Sequence, residues 1–174
     1  MEHLKQLIRT IPDFPKRGIE FRDLTTLFLD AKGFSEVIQR LADHYRKEAI
    51  DVIVGIESRG FVLGAPLAIA LGKGFVPVRK PGKLPGAKVG VEYSLEYGTD
   101  RLEMHTDAVK KGAKVLMVDD LLATGGTMEA ACRLVEQVGG KVVSCAFVVE
   151  LPALHGRKRI AKYPVHCMLE FEGD

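Results

Sequence analysis

The spacing of apolar and polar positions changes several times along the chain, and each change predicts a different element. Over residues 35–49 apolar side chains recur every three or four positions, among them Val37, Leu41 and Tyr45, which predicts an amphipathic helix. Residues 51–56 are almost continuously apolar, as in a buried strand. The same reasoning predicts helices over residues 60–71 and 126–138, and strands over residues 75–79, 114–119 and 141–149.

This order of elements predicts an α/β fold with a parallel sheet flanked by helices. Strand–helix–strand crossovers are right-handed and cover both faces of such a sheet, and ligands bind beyond the carboxyl ends of its strands. We therefore expect functional residues directly after Ile56, Arg79, Val118 and Val149. Because no repeat or linker divides the sequence, residues 1–174 are expected to form a single domain.

Residues 1–34 and residues 80–105 depart from this alternation of strands and helices. Residues 1–34 contain turn-forming prolines and a glycine, and predict an N-terminal hood of short helices and turns. Residues 80–90 hold two prolines, three glycines and three lysines, which predicts a mobile loop with too little apolar content for the core. Polarity alternates on both sides of Gly98, which predicts an exposed hairpin over residues 93–105. Residues 81–105 are together expected to form one mobile loop.

Composition narrows the class of protein. Apolar residues make up 47% of the chain and charged residues 28%, as in globular domains, and the net charge of +2 is too small to suggest a nucleic-acid partner. The three cysteines are widely spaced and odd in number, which argues for reduced thiols. A charged N-terminus and the lack of an apolar run of about 20 residues argue against a signal peptide and a membrane span. A cytoplasmic enzyme or binding protein is expected.

The most specific motif joins a strand to a helix through two acids and a glycine turn. Backbone N–H groups of such a turn can converge on a phosphate, and the helix N-terminus adds its positive dipole end. The acids Asp119 and Asp120 are placed to bind ribose hydroxyls and, through water, a magnesium ion. An ordinary helix start capped by Thr124 is the alternative. The predicted phosphate-binding residues are Ala123, Thr124, Gly125, Gly126 and Thr127.

Basic residues after two other strand ends predict a second anion site. Ser58 and Arg59 follow the first buried strand and precede a helix, so free N–H groups and a guanidinium meet there. Arg79, Lys80 and Lys83 follow the next strand within the Pro/Gly loop. The alternatives are a helix capped by Ser58 and a solvated basic run.

Taken in order, these motifs resemble the type I phosphoribosyltransferase family, in particular its adenine-specific members. The resemblance rests on residues 21–23, 57–60, 79–86, 93–98 and 119–127. It implies the type I phosphoribosyltransferase fold and a purine salvage reaction. In that reaction 5-phosphoribosyl-1-pyrophosphate (PRPP) and adenine give AMP and pyrophosphate, with Mg²⁺ as cofactor. It also implies a homodimer, and a pyrophosphate loop with a cis peptide after Glu57.

The resemblance implies roles for the residues around the base. Glu96 is expected at the imidazole edge of adenine as the catalytic residue, with the direction of proton transfer left open, and Tyr97 is expected to gate the site. Phe21 and Leu121 would sandwich the purine, and the backbone around Arg22 would recognise its amino edge. Plain core packing is the alternative for Phe21 and Leu121.

Two other functions compete with this interpretation. One is a phosphoribosyltransferase for another base, such as hypoxanthine, guanine, xanthine or orotate. The other is a PRPP-sensing regulator that binds nucleic acid. A regulator needs a DNA-reading element, and the 34 residues before the first core helix contain no basic recognition helix.

Overall fold

A computed structural model describes residues 1–95 and 98–173. The strands in these residues are β1 (Arg9–Pro12), β2 (Glu20–Asp23), β3 (Val52–Ile56), β4 (Gly74–Val78), β5 (Lys88–Ser94), β6 (Thr99–His105), β7 (Lys114–Leu122), β8 (Lys141–Glu150) and β9 (Val165–Glu170). The helices are α1 (Glu2–Gln6), α2 (Thr25–Leu29), α3 (Ala31–Tyr45), α4 (Arg59–Leu71), α5 (Gly126–Gln137) and α6 (Gly156–Arg159), with a 3₁₀ turn at Pro152–Leu154.

Five parallel strands form the central sheet in the order β4-β3-β7-β8-β9. Alternate residues of β7 serve opposite faces: Leu116 and Val118 pack in the cluster that contains α3 and α4, whereas Val115 and Met117 pack in the cluster that contains α5. All four side chains are fully buried. The predicted α/β fold with a parallel sheet flanked by helices is confirmed.

The boundaries of α3 and α4 follow from their end residues. Asp30 accepts a hydrogen bond from the Gly33 N–H at 2.7 Å and so caps α3, which therefore begins at Ala31, four residues before the predicted start. Gly72 ends α4 in the left-handed conformation, with φ of 64°, as the sequence predicts. Among the described residues, no helix is both long and apolar enough to cross a bilayer.

The hairpin formed by β5 and β6 differs from the prediction. Its first strand begins at Lys88 instead of residue 93, and its inward side chains Val91, Tyr93, Leu102 and Met104 are buried in the same cluster as α5. The expectation of an exposed hairpin is therefore wrong for this face. Leu84, in the preceding loop, is also buried. The predicted mobility of residues 81–105 concerns motion and stays a prediction.

Residues 1–34 hold more regular structure than expected. In addition to α1 and α2, they contain an antiparallel hairpin of β1 and β2 in which Ile11 is paired with Phe21. Four-residue strands, one of them ending in Pro12, are too short to leave a clear period in the sequence. The hairpin places Phe21 above the carboxyl edge of the sheet, close to Arg59.

Candidate active site

The carboxyl ends of β3 and β7, adjacent strands in register at Gly55 and Val118, open into a cleft of about 340 Å³. Both predicted anion-binding loops contribute to this one cleft, as does the strand end of β7. The residues that line it include Glu57, Ser58, Arg59, Lys80, Asp119, Asp120, Leu121, Ala123, Thr124, Gly125, Gly126 and Thr127. The sheet therefore brings together sequence segments that are more than 60 residues apart.

The glycine turn between β7 and α5 has the geometry of a phosphate loop. Strand β7 continues to Leu122, so the two acids lie inside the strand and not beyond its end, which shortens the loop to three residues. Gly125 is the N-cap of α5 with φ of 82°, and a Cβ there would lie 2.7 Å from the carbonyl oxygen of Gly156. Only glycine fits that position. The alternative of a helix capped by Thr124 is wrong, because the cap residue is Gly125.

The two acids of β7 stand in different electrostatic surroundings. Asp120 is 4% exposed and accepts a hydrogen bond from Nε of Arg59. Burial, followed by the neighbouring Asp120 carboxylate, raises the pKa of Asp119 well above its usual value. Close packing from the other side depends on Gly60, where a Cβ would lie 2.9 Å from the carbonyl oxygen of Val118. The surroundings of Asp119 thus compensate the charged form of its carboxyl group only in part.

The loop after β3 presents Ser58 and Arg59 to the cleft. The peptide bond between Glu57 and Ser58 is cis, which confirms the implied loop conformation. Ser58 occupies the N-cap position of α4 without a side-chain cap hydrogen bond, so the alternative role of helix cap is wrong. Its hydroxyl remains available to a ligand.

Glu57 ties this loop to the end of β4. Its Oε2 accepts hydrogen bonds from the Lys80 N–H at 3.0 Å and from Nε of Arg79 at 3.1 Å. Burial would raise the pKa of Glu57, but these two hydrogen bonds outweigh it and lower the pKa. The carboxylate therefore stays charged and holds the backbone of the basic segment in place.

The three basic residues after β4 separate in space. Lys80 lines the cleft, and its Nζ donates to Asp100 and, at 3.2 Å, to the hydroxyl of Tyr93. Arg79 instead binds Glu57 and the carbonyl oxygen of Lys83, at 3.4 Å. Within the described part of the chain, neither Arg79 nor Lys83 is part of the cleft lining.

Three of the residues expected around the base, Phe21, Arg22 and Leu121, lie within the described part of the chain. Leu121 lines the cleft, and the Phe21 ring lies 5.8 Å from the guanidinium carbon of Arg59. The side chain of Arg22 points elsewhere, to Glu20 and Thr10 at 2.6 Å each, which leaves its backbone as the part that could contact a base. The catalytic and gating residues predicted from the resemblance, Glu96 and Tyr97, lie outside the described residues.

Sequence reasoning missed three residues near the cleft. Tyr93 and Asp100 hold Lys80 from the hairpin, and Arg159 of α6 reaches the phosphate loop from residues 155–174, which had no assigned role. The inward alternation of Tyr93 along β5 was the one available signal. Asp100 and Arg159 meet their partners only in the folded chain.

The arrangement of strand, acid pair, glycine loop and second anion loop is that of a phosphoribosyltransferase. The family model named Phosphoribosyl transferase domain matches residues 26–172, and the chain belongs to this family.

Relatives of known name narrow the similarity. An adenine phosphoribosyltransferase of Chlorobaculum tepidum is 59% identical over 175 residues, 98% of this chain and 99% of that protein. The crystal structure of adenine phosphoribosyltransferase from Thermoanaerobacter pseudethanolicus matches with a TM-score of 0.95 at 53% identity, covering 98% of this chain and 99% of that one. The Saccharomyces cerevisiae enzyme, solved with adenine and an imino-altritol bisphosphate, matches with a TM-score of 0.91 at 42% identity and covers 97% of both chains. Over nearly its full length, the chain is thus similar to adenine phosphoribosyltransferases, which confirms the resemblance noted in the sequence.

Proposed function

We propose that this chain transfers the 5-phosphoribosyl group of PRPP to adenine, giving AMP and pyrophosphate in purine salvage. The observation that carries the proposal is the single cleft in which the acid pair of β7 stands between two anion-binding loops. PRPP has the matching order of groups, with a ribose between a phosphate and a pyrophosphate. The base is assigned from the similar proteins, which are named adenine phosphoribosyltransferases, one of them solved with adenine bound.

Each part of the cleft has a proposed partner on PRPP. The backbone N–H groups and hydroxyls of residues 123–127 would hold the 5′-phosphate, and Asp119 and Asp120 would bind the ribose hydroxyls. Ser58, Arg59 and Lys80 would bind pyrophosphate. Since Arg79 and Lys83 are not part of the lining, their support for pyrophosphate would pass through the loop that Glu57 organises.

The reaction breaks the bond from ribose C1 to pyrophosphate and forms a bond from C1 to N9 of adenine. Positive charge develops on the ribose while negative charge grows on the leaving pyrophosphate. Arg59 and Lys80 are fixed before the reaction by their carboxylate partners, and such preorganised charges stabilise a leaving anion. Glu96 would control the proton on the imidazole edge of adenine. Closure of residues 81–105, with Tyr97 as gate, would exclude water from the reacting centre.

Mg²⁺ is the proposed cofactor, and the donor set of the cleft fits it. No group of three or more His, Cys, Asp or Glu side chains that could hold a metal occurs in the described part of the chain. Magnesium needs no such group, because it is commonly bound by one or two carboxylates together with substrate phosphates and water. Asp119 and Asp120 would contact it through water, and the ion would supply charge neutralisation of pyrophosphate.

A homodimer is proposed on the basis of helix α4. This helix is apolar on nearly all sides, and it leaves Ile69 82% exposed and Val62 39% exposed. A helix that is apolar all round is normally covered on every side. A second copy of the chain would cover the outer face.

We expect Ile69→Glu to convert the dimer to a monomer, because a charge placed in an apolar interface must be desolvated without a partner. Sedimentation velocity would measure the change. Leu29→Glu is the matched control, since Leu29 is 85% exposed on α2, and it should stay dimeric. A wild-type protein that sediments as a monomer at all concentrations would contradict the proposal.

The proposed reaction is tested by assaying adenine, hypoxanthine, guanine and xanthine side by side with PRPP and magnesium. We expect adenine to exceed the 6-oxopurines at least about a hundredfold in kcat/KM. Adenine presents an amino donor beside the N1 acceptor, whereas hypoxanthine presents an oxygen acceptor beside an N1–H donor. A site matched to one pattern leaves two groups unpaired with the other, at roughly 1–3 kcal/mol each.

Equal kcat/KM for adenine and hypoxanthine would overturn the base assignment and leave the PRPP site in place. Absence of any nucleotide product with all four bases would overturn the proposed function as a whole. The control reaction omits PRPP.

A further inference from the structure

The short helix α6 packs directly on the phosphate loop. The carbonyl oxygen of Gly156 lies against Gly125, and the side chain of Arg159 lies over Gly126. A Cβ at Gly126 would be 3.1 Å from Nη1 of Arg159 and 3.3 Å from its Cζ. The guanidinium group thus covers the first residue of α5, where the proposed 5′-phosphate would bind.

Arg159 also shares a cavity with the two hydroxyls of the loop. A second cleft, of about 650 Å³, lies beside the first and is lined by Arg159, Thr124, Gly126, Thr127 and residues 93–95. Thr124, Gly126 and Thr127 line both clefts. The two clefts therefore meet at the phosphate loop, with Arg159 beside the loop residues that would hold the phosphate.

One edge of the guanidinium is engaged by a carboxylate, and no other described residue binds the group. Nε of Arg159 donates to Oε2 of Glu129 at 2.7 Å, while no described residue accepts a hydrogen bond from Nη1 or Nη2. The side chain is 38% exposed. A guanidinium can bind a carboxylate along one edge and a phosphate along another. Arg157, on the same helix, lacks this freedom because it binds both carboxylate oxygens of Glu150 and the Val165 carbonyl.

We propose that Arg159 binds the 5′-phosphate of PRPP and AMP, and that Glu129 holds its guanidinium beside the loop. The inference rests on the proposed function and adds to it a residue from a segment with no assigned role. Residues 123–127 offer a phosphate only neutral N–H and O–H donors. Among the described residues that line the two clefts, Arg159 is the cation beside this loop, whereas Arg59 and Lys80 are assigned to pyrophosphate.

Calorimetric titration of the full chain with AMP and with pyrophosphate tests this role. Arg159→Gln should raise the dissociation constant of AMP at least tenfold and leave that of pyrophosphate within twofold of wild type. Arg159→Lys keeps the charge and should stay within threefold for AMP. Lys158→Gln removes an equal charge from an exposed neighbour on α6 and is the matched control, expected to bind AMP like wild type.

Steady-state kinetics provides a second readout. Because the 5′-phosphate contact is the same in substrate and transition state, Arg159→Gln should raise KM for PRPP and leave kcat nearly unchanged. A merely structural role would reduce the affinities for AMP and pyrophosphate together, and Arg159→Lys would then be as damaged as Arg159→Gln; either result overturns the inference. AMP affinity unchanged in Arg159→Gln also overturns it, while a wild type that binds no AMP refutes the proposed function instead.

Discussion

Replacing Asp119 and Asp120 together with asparagine is expected to weaken PRPP binding at least about a hundredfold. In the proposed complex each carboxylate accepts hydrogen bonds from a ribose hydroxyl and faces the water shell of magnesium. Hydrogen bonds to charged groups contribute roughly 1.5–3 kcal/mol each, so the loss of two corresponds to at least about two orders of magnitude in affinity. Titration calorimetry with PRPP and magnesium measures it. Asp107→Asn, an exposed carboxylate outside the cleft, is the control and should bind normally.

An effect of the substitutions on PRPP binding must be distinguished from an effect on folding. The raised pKa of Asp119 helps here, because it predicts how replacing this residue changes stability. A carboxyl group with a raised pKa takes up more protons in the folded state than in the unfolded state. Its contribution to stability therefore falls as the pH rises from the usual aspartate pKa through the raised value. Asp119→Asn alone should then melt no lower than wild type at neutral pH. A lower melting temperature, or intact PRPP affinity in the folded double variant, would contradict these assignments.

Glu96→Ala is expected to lower kcat by about 10² to 10⁴, the range for loss of a general acid or base. The role of Glu96 is inferred from the family resemblance of residues 93–98 and concerns the base, whose proton must move as N9 becomes the nucleophile. PRPP affinity should therefore change little, because the contact forms with adenine and strengthens in the transition state. Single-turnover kinetics measures the chemical step, and calorimetry measures PRPP binding.

The matched control for Glu96 is Glu92→Ala on the same hairpin. The Glu92 side chain is 73% exposed and lies 3.9 Å from Arg101, at the long end of the range for an ion pair. It should retain wild-type kcat. The assignment of Glu96 fails if kcat falls less than threefold with chemistry rate-limiting, or if PRPP affinity falls as much as kcat.

The sequence was most informative where one local pattern determines the structure. The apolar run of β3 and the glycine after α4 predicted those elements to within one residue, because burial on both faces and a left-handed end residue leave direct marks. Strand β9 was missed because Val165–Glu170 is short, is interrupted by His166 and is mostly half-buried, so it shows neither a long apolar run nor a strict alternation. The side on which the hairpin is buried was also missed, because alternation alone does not say which face packs.

In the candidate site, too, contiguous motifs could be predicted from the sequence, whereas contacts between distant residues could not. The acid pair and the glycine turn are contiguous in sequence, so their shared cleft could be expected from the α/β pattern. The partners Lys80 and Asp100 are 20 residues apart, and Arg159 and Glu129 are 30 apart. Such pairs depend on how the hairpin and α6 pack on α5, which no local pattern encodes.

The ion pairs around the cleft bear on which anions the free protein will accept. Arg59 is held by Asp120, Lys80 by Asp100 and Arg159 by Glu129, so each cation is already positioned by a carboxylate before a ligand arrives. An incoming anion must compete with the carboxylate that already binds the cation. A simple polyanion that displaces Asp120 from Arg59 leaves this buried carboxylate without a hydrogen-bond donor. PRPP supplies a ribose hydroxyl for Asp120 as well as a phosphate group for Arg59. The cleft thus favours PRPP over inorganic pyrophosphate and other small polyanions, which carry charge but no sugar hydroxyl.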